Sequence, residues 1–151
     1  MGNIFNEDFM DFIASLNQCD VKYMIIGGYA VILHGYSRTT GDLDIWVEKK
    51  EENYRKLENA FKKFGMPVFD MTKENFLDKD RFDVFTFGVP PASIDILTVV
   101  KGLEFHDAFN NSTLMDYEKI KLRLIDYRDL ITLKRSSGRN RDLDDIENLG
   151  K

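Results

Sequence analysis

Two aspartates, Asp42 and Asp44, stand one residue apart at the head of a predicted strand, Leu43 to Val47. Alternate side chains of a strand face the same side, so both carboxylates project together while the aliphatic residues between them enter the core. Like charges at this range raise one another's pKa, and the pair becomes favourable when divalent cations lie between the oxygens. The pattern predicts a cation site, with a solvated polar strand edge as the alternative.

A glycine pair, Gly27 and Gly28, follows one predicted strand, Val21 to Ile26, and precedes a predicted helix, Tyr29 to His34. Glycine lets the backbone come close to a ligand, and amide groups at the start of a helix can bind phosphate oxygens. The alternative for this pair is a tight turn between strand and helix.

A third carboxylate is expected on a neighbouring strand. Asp95 lies between two isoleucines in a predicted strand, Ser93 to Val99. An acid flanked by core residues is costly unless cations or hydrogen-bond donors meet it. Asp83 is a rival, but Arg81 lies on its own face of the chain and offers a partner. We therefore favour Asp95 and keep Asp83 as the alternative.

Together, the glycine pair, the helix and the paired acids resemble the nucleotidyltransferase superfamily of the DNA polymerase β type. The signature of that superfamily is Gly-Gly or Gly-Ser after an apolar residue, then about nine to thirteen residues, then Asp-x-Asp or Asp-x-Glu. Here thirteen residues, Tyr29 to Gly41, separate the two motifs. The superfamily has a third carboxylate on a neighbouring strand, which Asp95 would supply.

The resemblance extends to small members related to abortive-infection nucleotidyltransferase toxins. Arg38 lies in an Arg-Thr-Thr loop like theirs, and residues 130–146 resemble their C-terminal segment. The likeness implies that Arg38 and Lys134 meet the nucleotide and that Asp142 orients Lys134 or the loop. The alternatives are a surface lysine at 134 and a helix N-cap at 142.

Hydrophobic periodicity places these motifs on a mixed α/β (α+β) framework. The resemblance implies the nucleotidyltransferase palm, a mixed β-sheet with flanking helices. We expect a single domain over residues 1–151, with a core of about 20–125 and C-terminal helices of about 126–149. The other predicted elements are a helix over Phe5–Leu16, a helix over Glu51–Phe64, a hairpin of Arg81–Phe87 and Ser93–Val99, a short helix over Glu104–Phe109, a strand over Ile120–Leu124, and helices over Tyr127–Ser136 and Leu143–Leu149.

Charge is unevenly distributed along the 151 residues. The net charge is −5, yet residues 118–141 hold eight basic and three acidic side chains, which leaves −10 on the remainder. The acidic body argues against nonspecific nucleic-acid binding by the whole surface, and the basic quarter mildly favours RNA. The single cysteine, Cys19, and the lack of a membrane-length apolar run or a basic leader predict a cytoplasmic protein with no membrane partner.

The resemblance implies transfer of a nucleoside monophosphate from a nucleoside triphosphate, such as ATP, to a hydroxyl acceptor. Asp42, Asp44 and Asp95 would hold Mg²⁺ or Mn²⁺, and Gly27 and Gly28 would bind phosphate. We expect the acceptor to be RNA, a tRNA end or a protein. The alternative is a catalytically idle palm that acts as a binding or toxin–antitoxin partner. An antibiotic-modifying enzyme is expected to need a further helical domain, for which about 150 residues leave little room.

Overall fold

The computed structural model describes residues 5–89 and 92–149. The elements of this part of the chain, in order, are α1 (Glu7–Gln18), β1 (Tyr23–Ile26), α2 (Gly27–Leu33), β2 (Leu43–Val47), α3 (Glu51–Phe64), α4 (Lys73–Leu77), β3 (Val84–Phe87), β4 (Ile94–Leu97), α5 (Phe105–Asn111), β5 (Thr113–Tyr117), β6 (Ile120–Leu124), α6 (Tyr127–Ser137) and α7 (Asn140–Leu149).

The strands form one six-stranded mixed sheet in the order β3-β4-β2-β1-β6-β5. The inner strands combine parallel pairs, β4 with β2 and β1 with β6, and an antiparallel pair, β2 with β1. The two outer pairs, β3 with β4 and β5 with β6, are antiparallel hairpins. The mixed α/β fold expected from the sequence is confirmed, and so is the hairpin of β3 and β4.

The two faces of the sheet have different cover. On one face, β3 packs against α3 through Phe87, whose ring centroid lies 4.8 Å from that of Phe61, and α1 packs on α3 through Phe12. On the other face, Trp46 of β2 is fully buried under α5, with its ring centroid 5.3 Å from that of Phe105. Because side chains alternate along a strand, Asp44 points to the same face as Trp46.

Two elements were missed by the sequence prediction. The strand β5 has only exposed or half-buried side chains, so it lacks the apolar alternation that marks a strand. The helix α4 is little more than one turn long, and its N-cap is Thr72, whose side chain accepts a hydrogen bond from the backbone N–H of Asn75. No helix of the described chain is long and apolar enough to cross a membrane.

Candidate active site

The three predicted carboxylates meet in one cleft. Asp44 of β2 lies directly opposite Asp95 in the parallel pairing of β2 with β4, and Asp42 comes just before β2. The cleft has a volume of about 280 Å³, and the residues that line it are Gly28, Arg38, Thr40, Gly41, Asp42, Asp44, Asp95, Lys134, Arg139 and Asp142. The structure therefore brings the predicted site residues together, although they come from distant parts of the chain.

Neutral hydroxyl groups hold two of the three carboxylates. Ser93 Oγ donates a hydrogen bond of 2.6 Å to Asp42 Oδ1. On the far side of the site, Thr86 Oγ1 donates a bond of 2.7 Å to Asp95 Oδ1. These hydroxyls orient the carboxylates without neutralising them, so the negative charge stays available for a cation.

Asp44 carries the electrostatic cost of this arrangement. Burial, a hydrogen bond with Asp95, and the charges of Asp95 and Asp42 raise the pKa of Asp44 to about 7, while Lys134 opposes the rise. Asp44 therefore resists full ionisation at neutral pH unless positive charge enters the cleft.

Gly27 and Gly28 must lack a side chain because side chains of the cleft lie against the backbone at these two positions. Gly27 has a φ of +71°, and a Cβ there would overlap Asp44 Oδ2 and lie 3.0 Å from the Asp44 Cβ. A Cβ on Gly28 would overlap the side chain of Thr40 and lie 3.0 Å from Arg38 Nη2. Helix α2 begins at Gly27, so the sequence prediction that placed the pair before the helix was two residues too late.

Lys134 is buried rather than on the surface. Its side chain is 3% exposed, and Nζ lies 2.8 Å from Asp142 Oδ1 and 3.1 Å from Asp145 Oδ2. The alternative of a surface lysine is therefore wrong, since the ammonium group is held between two carboxylates at the cleft.

Asp145 forms ion pairs with two cationic residues of the cleft that are far apart in the sequence, Arg38 and Lys134. Arg38 Nε lies 3.1 Å from Asp145 Oδ1, and Arg38 Nη2 donates a 3.2 Å bond to Asp145 Oδ2. The side chain of Asp145 is only 1% exposed and also contacts Lys134. Asp145 thus fixes the loop before β2 to both α6 and α7, a role that sequence reasoning missed because its partner Arg38 is 107 residues away.

Asp142 lies inside α7, because that helix begins at Asn140, so Asp142 is not the N-cap considered from the sequence. Burial raises the pKa of its carboxyl, but hydrogen bonds from Arg139, Lys134 and Ser137 outweigh this effect and lower the pKa to about 2. Asp142 is therefore ionised at neutral pH and paired with Lys134.

Asp83 lies outside this cluster. It precedes β3, its side chain is exposed, and its backbone oxygen accepts a 2.8 Å bond from the N–H of Thr98. Its carboxylate is not part of the cleft lining. The geometry therefore places Asp95, rather than Asp83, beside Asp44.

The carboxylates suit a hard divalent cation, which binds oxygen ligands. Within residues 5–89 and 92–149, however, no three His, Cys, Asp or Glu side chains are arranged so that they could hold a metal ion. Asp42 and Asp44 have the oxygen donors that Mg²⁺ or Mn²⁺ prefers, and a cation there would need further ligands, such as phosphate oxygens and water.

Residues 7–150 match the model of a family described as "Nucleotidyltransferase of unknown function (DUF6036)". The chain belongs to this nucleotidyltransferase family. No curated protein matches the chain.

Two solved structures share the fold. LnuA, a lincosamide antibiotic adenylyltransferase with lincomycin bound, has a TM-score of 0.58 and 16% identity, and the match covers 99% of each chain. TM1012 of Thermotoga maritima, assigned to the nucleotidyltransferases, has a TM-score of 0.62 and 14% identity, with 92% of this chain and 88% of that chain covered. LnuA contradicts the expectation that an antibiotic-modifying enzyme needs a further domain, because it is covered almost entirely by a chain of 151 residues.

Gly27→Ala should destabilise the protein more than a positive φ alone explains. Placing alanine in the left-handed region costs about 1–2 kcal/mol, and at Gly27 the new Cβ also overlaps Asp44. Gly138→Ala is the matched control, since Gly138 has a φ of +67° and nothing within 4 Å of a Cβ. Urea unfolding should give a larger loss for Gly27→Ala; equal losses would mean that Asp44 moves away freely.

Lys134→Met should lower the free energy of unfolding by about 3 kcal/mol, because it leaves two buried carboxylates without their shared cation. Arg135→Met, at the next and exposed position of α6, should stay within about 0.5 kcal/mol of wild type. The measurement is urea unfolding at neutral pH, and a Lys134→Met protein as stable as wild type would show that the ion pairs contribute nothing.

Asp44→Asn should stabilise the metal-free protein at alkaline pH. The pKa of Asp44 is higher in the folded chain than in the unfolded chain, so the folded chain holds the proton more tightly. This contribution to the free energy of unfolding is fully present below the unfolded pKa of about 4 and is lost as the pH rises through the folded pKa of about 7. The variant should therefore gain on the order of 3 kcal/mol relative to wild type between pH 5 and pH 8.

The control for this comparison is Asp83→Asn, which removes an exposed carboxylate outside the cleft. Unfolding curves recorded with a chelator should show no pH-dependent gain for it. A parallel pH profile for Asp44→Asn and wild type would contradict the electrostatic cost assigned to Asp44.

Proposed function

We propose that this protein is a metal-dependent nucleotidyltransferase that moves a nucleoside monophosphate from a nucleoside triphosphate to a hydroxyl group and releases pyrophosphate. The observation that supports this proposal is the register of the sheet, which sets Asp44 beside Asp95 in a cleft that Arg38 and Lys134 also line. Nucleotidyl transfer needs both kinds of group in one site, carboxylates for cations and donors for phosphate.

The triphosphate is assigned to the wall formed by the glycine turn and the cationic residues. Gly28 lets the side chains of Thr40 and Arg38 lie close to the backbone of this turn, because a Cβ there would overlap Thr40. Lys134 has three ammonium hydrogens and Arg38 has five N–H donors, so each can bind a phosphate oxygen while it keeps its contact with Asp145. This assignment also gives Asp142 a positioning role through Lys134.

The chemical step joins the acceptor oxygen to the α-phosphorus and breaks the bond from that phosphorus to the bridging oxygen of pyrophosphate. The hydroxyl proton passes to Asp95, which the Thr86 hydroxyl holds in position. Mg²⁺ or Mn²⁺, when held by Asp42 and Asp44 together with ligands from outside the chain, would neutralise charge on the triphosphate. The chain itself contributes positioning and charge, which is most of what phosphoryl chemistry requires.

An idle palm is a weaker proposal for this chain. The pKa of Asp44 is raised to about 7 by burial and by the neighbouring carboxylates, which is an electrostatic cost in the folded protein. A binding partner without catalysis would gain nothing from that cost. RNA, a tRNA end, a protein and, by analogy with the antibiotic substrate of LnuA, a small molecule are the acceptor classes to test.

The test is label transfer from each α-labelled nucleoside triphosphate with Mg²⁺ or Mn²⁺, in the presence of total tRNA, protein and small-molecule extract. Wild type should release pyrophosphate and label an acceptor, and Asp44→Asn should lower the rate at least a hundredfold while it remains folded. Asp83→Asn is the control and should retain the wild-type rate, because Asp83 lies outside the cleft.

Label transfer by Asp44→Asn at the wild-type rate would remove the metal assignment. If no triphosphate binds to wild type with metal present, the idle palm becomes the better proposal.

A further inference from the structure

The cleft is asymmetric, and this asymmetry sets the direction from which an acceptor enters. Across the sheet, the phosphate wall of Gly28 and Arg38 lies beside Asp44, Asp95 comes next, and Thr86 of β3 follows towards the sheet edge. In phosphoryl transfer the attacking and leaving oxygens lie roughly in line. If pyrophosphate leaves on the phosphate wall, the acceptor hydroxyl must come from the side of Asp95 and Thr86.

The strand register shows what lies on that side. Thr86 pairs with Asp95, and Val84 pairs with Leu97, in the antiparallel ladder of β3 and β4. All four side chains project to the face that carries Asp44, because alternate residues of paired strands share a face. We call Val84, Thr86 and Leu97 the acceptor strip. Its aliphatic pair lies about 7 Å along the strands from the carboxylate row.

The acceptor strip is open to solvent although it is partly apolar. Val84 is 49% exposed, Thr86 is exposed and Leu97 is half-buried. The next residue along this row, Trp46, is buried under α5, so the open part is limited to β3 and β4. A patch two strands wide and two residues long measures about 5 Å by 7 Å, the size of a single ring system.

We propose that the acceptor strip binds the body of a small, phosphate-free alcohol with an apolar face, whose hydroxyl group reaches Asp95. This inference rests on the proposed nucleotidyl transfer and names its acceptor class. The chemistry of the strip supports this proposal. Val84, Thr86 and Leu97 provide two aliphatic groups and a hydroxyl, and the neighbouring Asp95 provides a carboxylate. These four residues offer an RNA or a phosphorylated acceptor neither a cation to neutralise its phosphates nor an aromatic ring on which its bases could stack.

Three cations of the basic C-terminal quarter have partners of their own. Lys134 and Arg139 are both paired with Asp142. Arg123 lies on β6, where its guanidinium is 4.6 Å from the ring centroid of Phe109, on the far side of β1 and β2 from the strip. These three side chains are therefore not counted as phosphate contacts of the strip.

The experiment compares acceptors with defined apolar length. Wild-type protein is given labelled triphosphate and Mg²⁺ with a series of n-alkanols from ethanol to hexanol, and in separate arms with total tRNA and with casein. We expect the products to be alkyl esters of the nucleotide. The kcat/KM for the alkanol should rise about two- to fourfold with each added methylene group, because each methylene group is transferred from water to the apolar surface of the strip. The tRNA and casein arms should remain unlabelled.

Val84→Lys should reduce the rate with hexanol at least tenfold and abolish the dependence on chain length, while triphosphate affinity by calorimetry stays at the wild-type value. Leu114→Lys is the matched control, since Leu114 is a 51% exposed aliphatic on the other edge strand, β5; it should behave like wild type. Val84→Thr, which keeps the β-branched shape, should give a smaller loss and covers the case in which the lysine variant does not fold.

Labelled tRNA or casein would overturn the proposal, as would a rate independent of alkanol length or an absence of ester while triphosphate binds. Unchanged rates in both Val84 variants would do the same. Absence of triphosphate binding in wild type would instead reject the proposed function itself, so the two failures are distinguishable.

Discussion

The arrangement of this protein depends on repulsion between carboxylates that the sheet forces together. Parallel pairing of β2 with β4 sets Asp44 directly beside Asp95, and no shift of one residue is open to either strand without turning its core side chains outward. Leu43, Ile45 and Ile96 are buried by the same register that exposes the acids to the cleft. Packing energy thus holds a charge cluster that would otherwise separate, and under the proposed function a cation with a polyphosphate would relieve the repulsion.

Near this cluster, positively charged side chains from other parts of the chain are held in place by ion pairs. The buried carboxylate of Asp145 pairs with Arg38 from the loop before β2 and with Lys134 from α6. These two cations therefore come together only when the loop before β2 and the two C-terminal helices have folded. Leaving a buried charge without its partner is costly, whereas a fully paired set is tolerated. The glycine turn adds the last condition, because only residues without a Cβ let α2 begin against Asp44 and Thr40.

Local patterns predicted the part of the site that depends on strand alternation and turn chemistry. The spacing of Asp42 and Asp44, the glycine pair and the apolar flanks of Asp95 are all visible within a few residues. The contact of Arg38 with Asp145 is not, since it joins positions 107 residues apart, and the burial of Lys134 between Asp142 and Asp145 depends on how α6 and α7 pack together. β5 was missed because an exposed edge strand needs no apolar alternation.

The central claim is that the carboxylate cluster and a triphosphate complete one cation site together. It is tested most directly by calorimetric titration of Mn²⁺ into the protein with and without a triphosphate analogue that has a methylene group between the α- and β-phosphorus. The account predicts weak Mn²⁺ binding alone and at least about tenfold tighter binding with the analogue, with the reciprocal effect on the analogue. Equal Mn²⁺ affinity in both titrations, or tight binding that persists in Asp44→Asn, would contradict it.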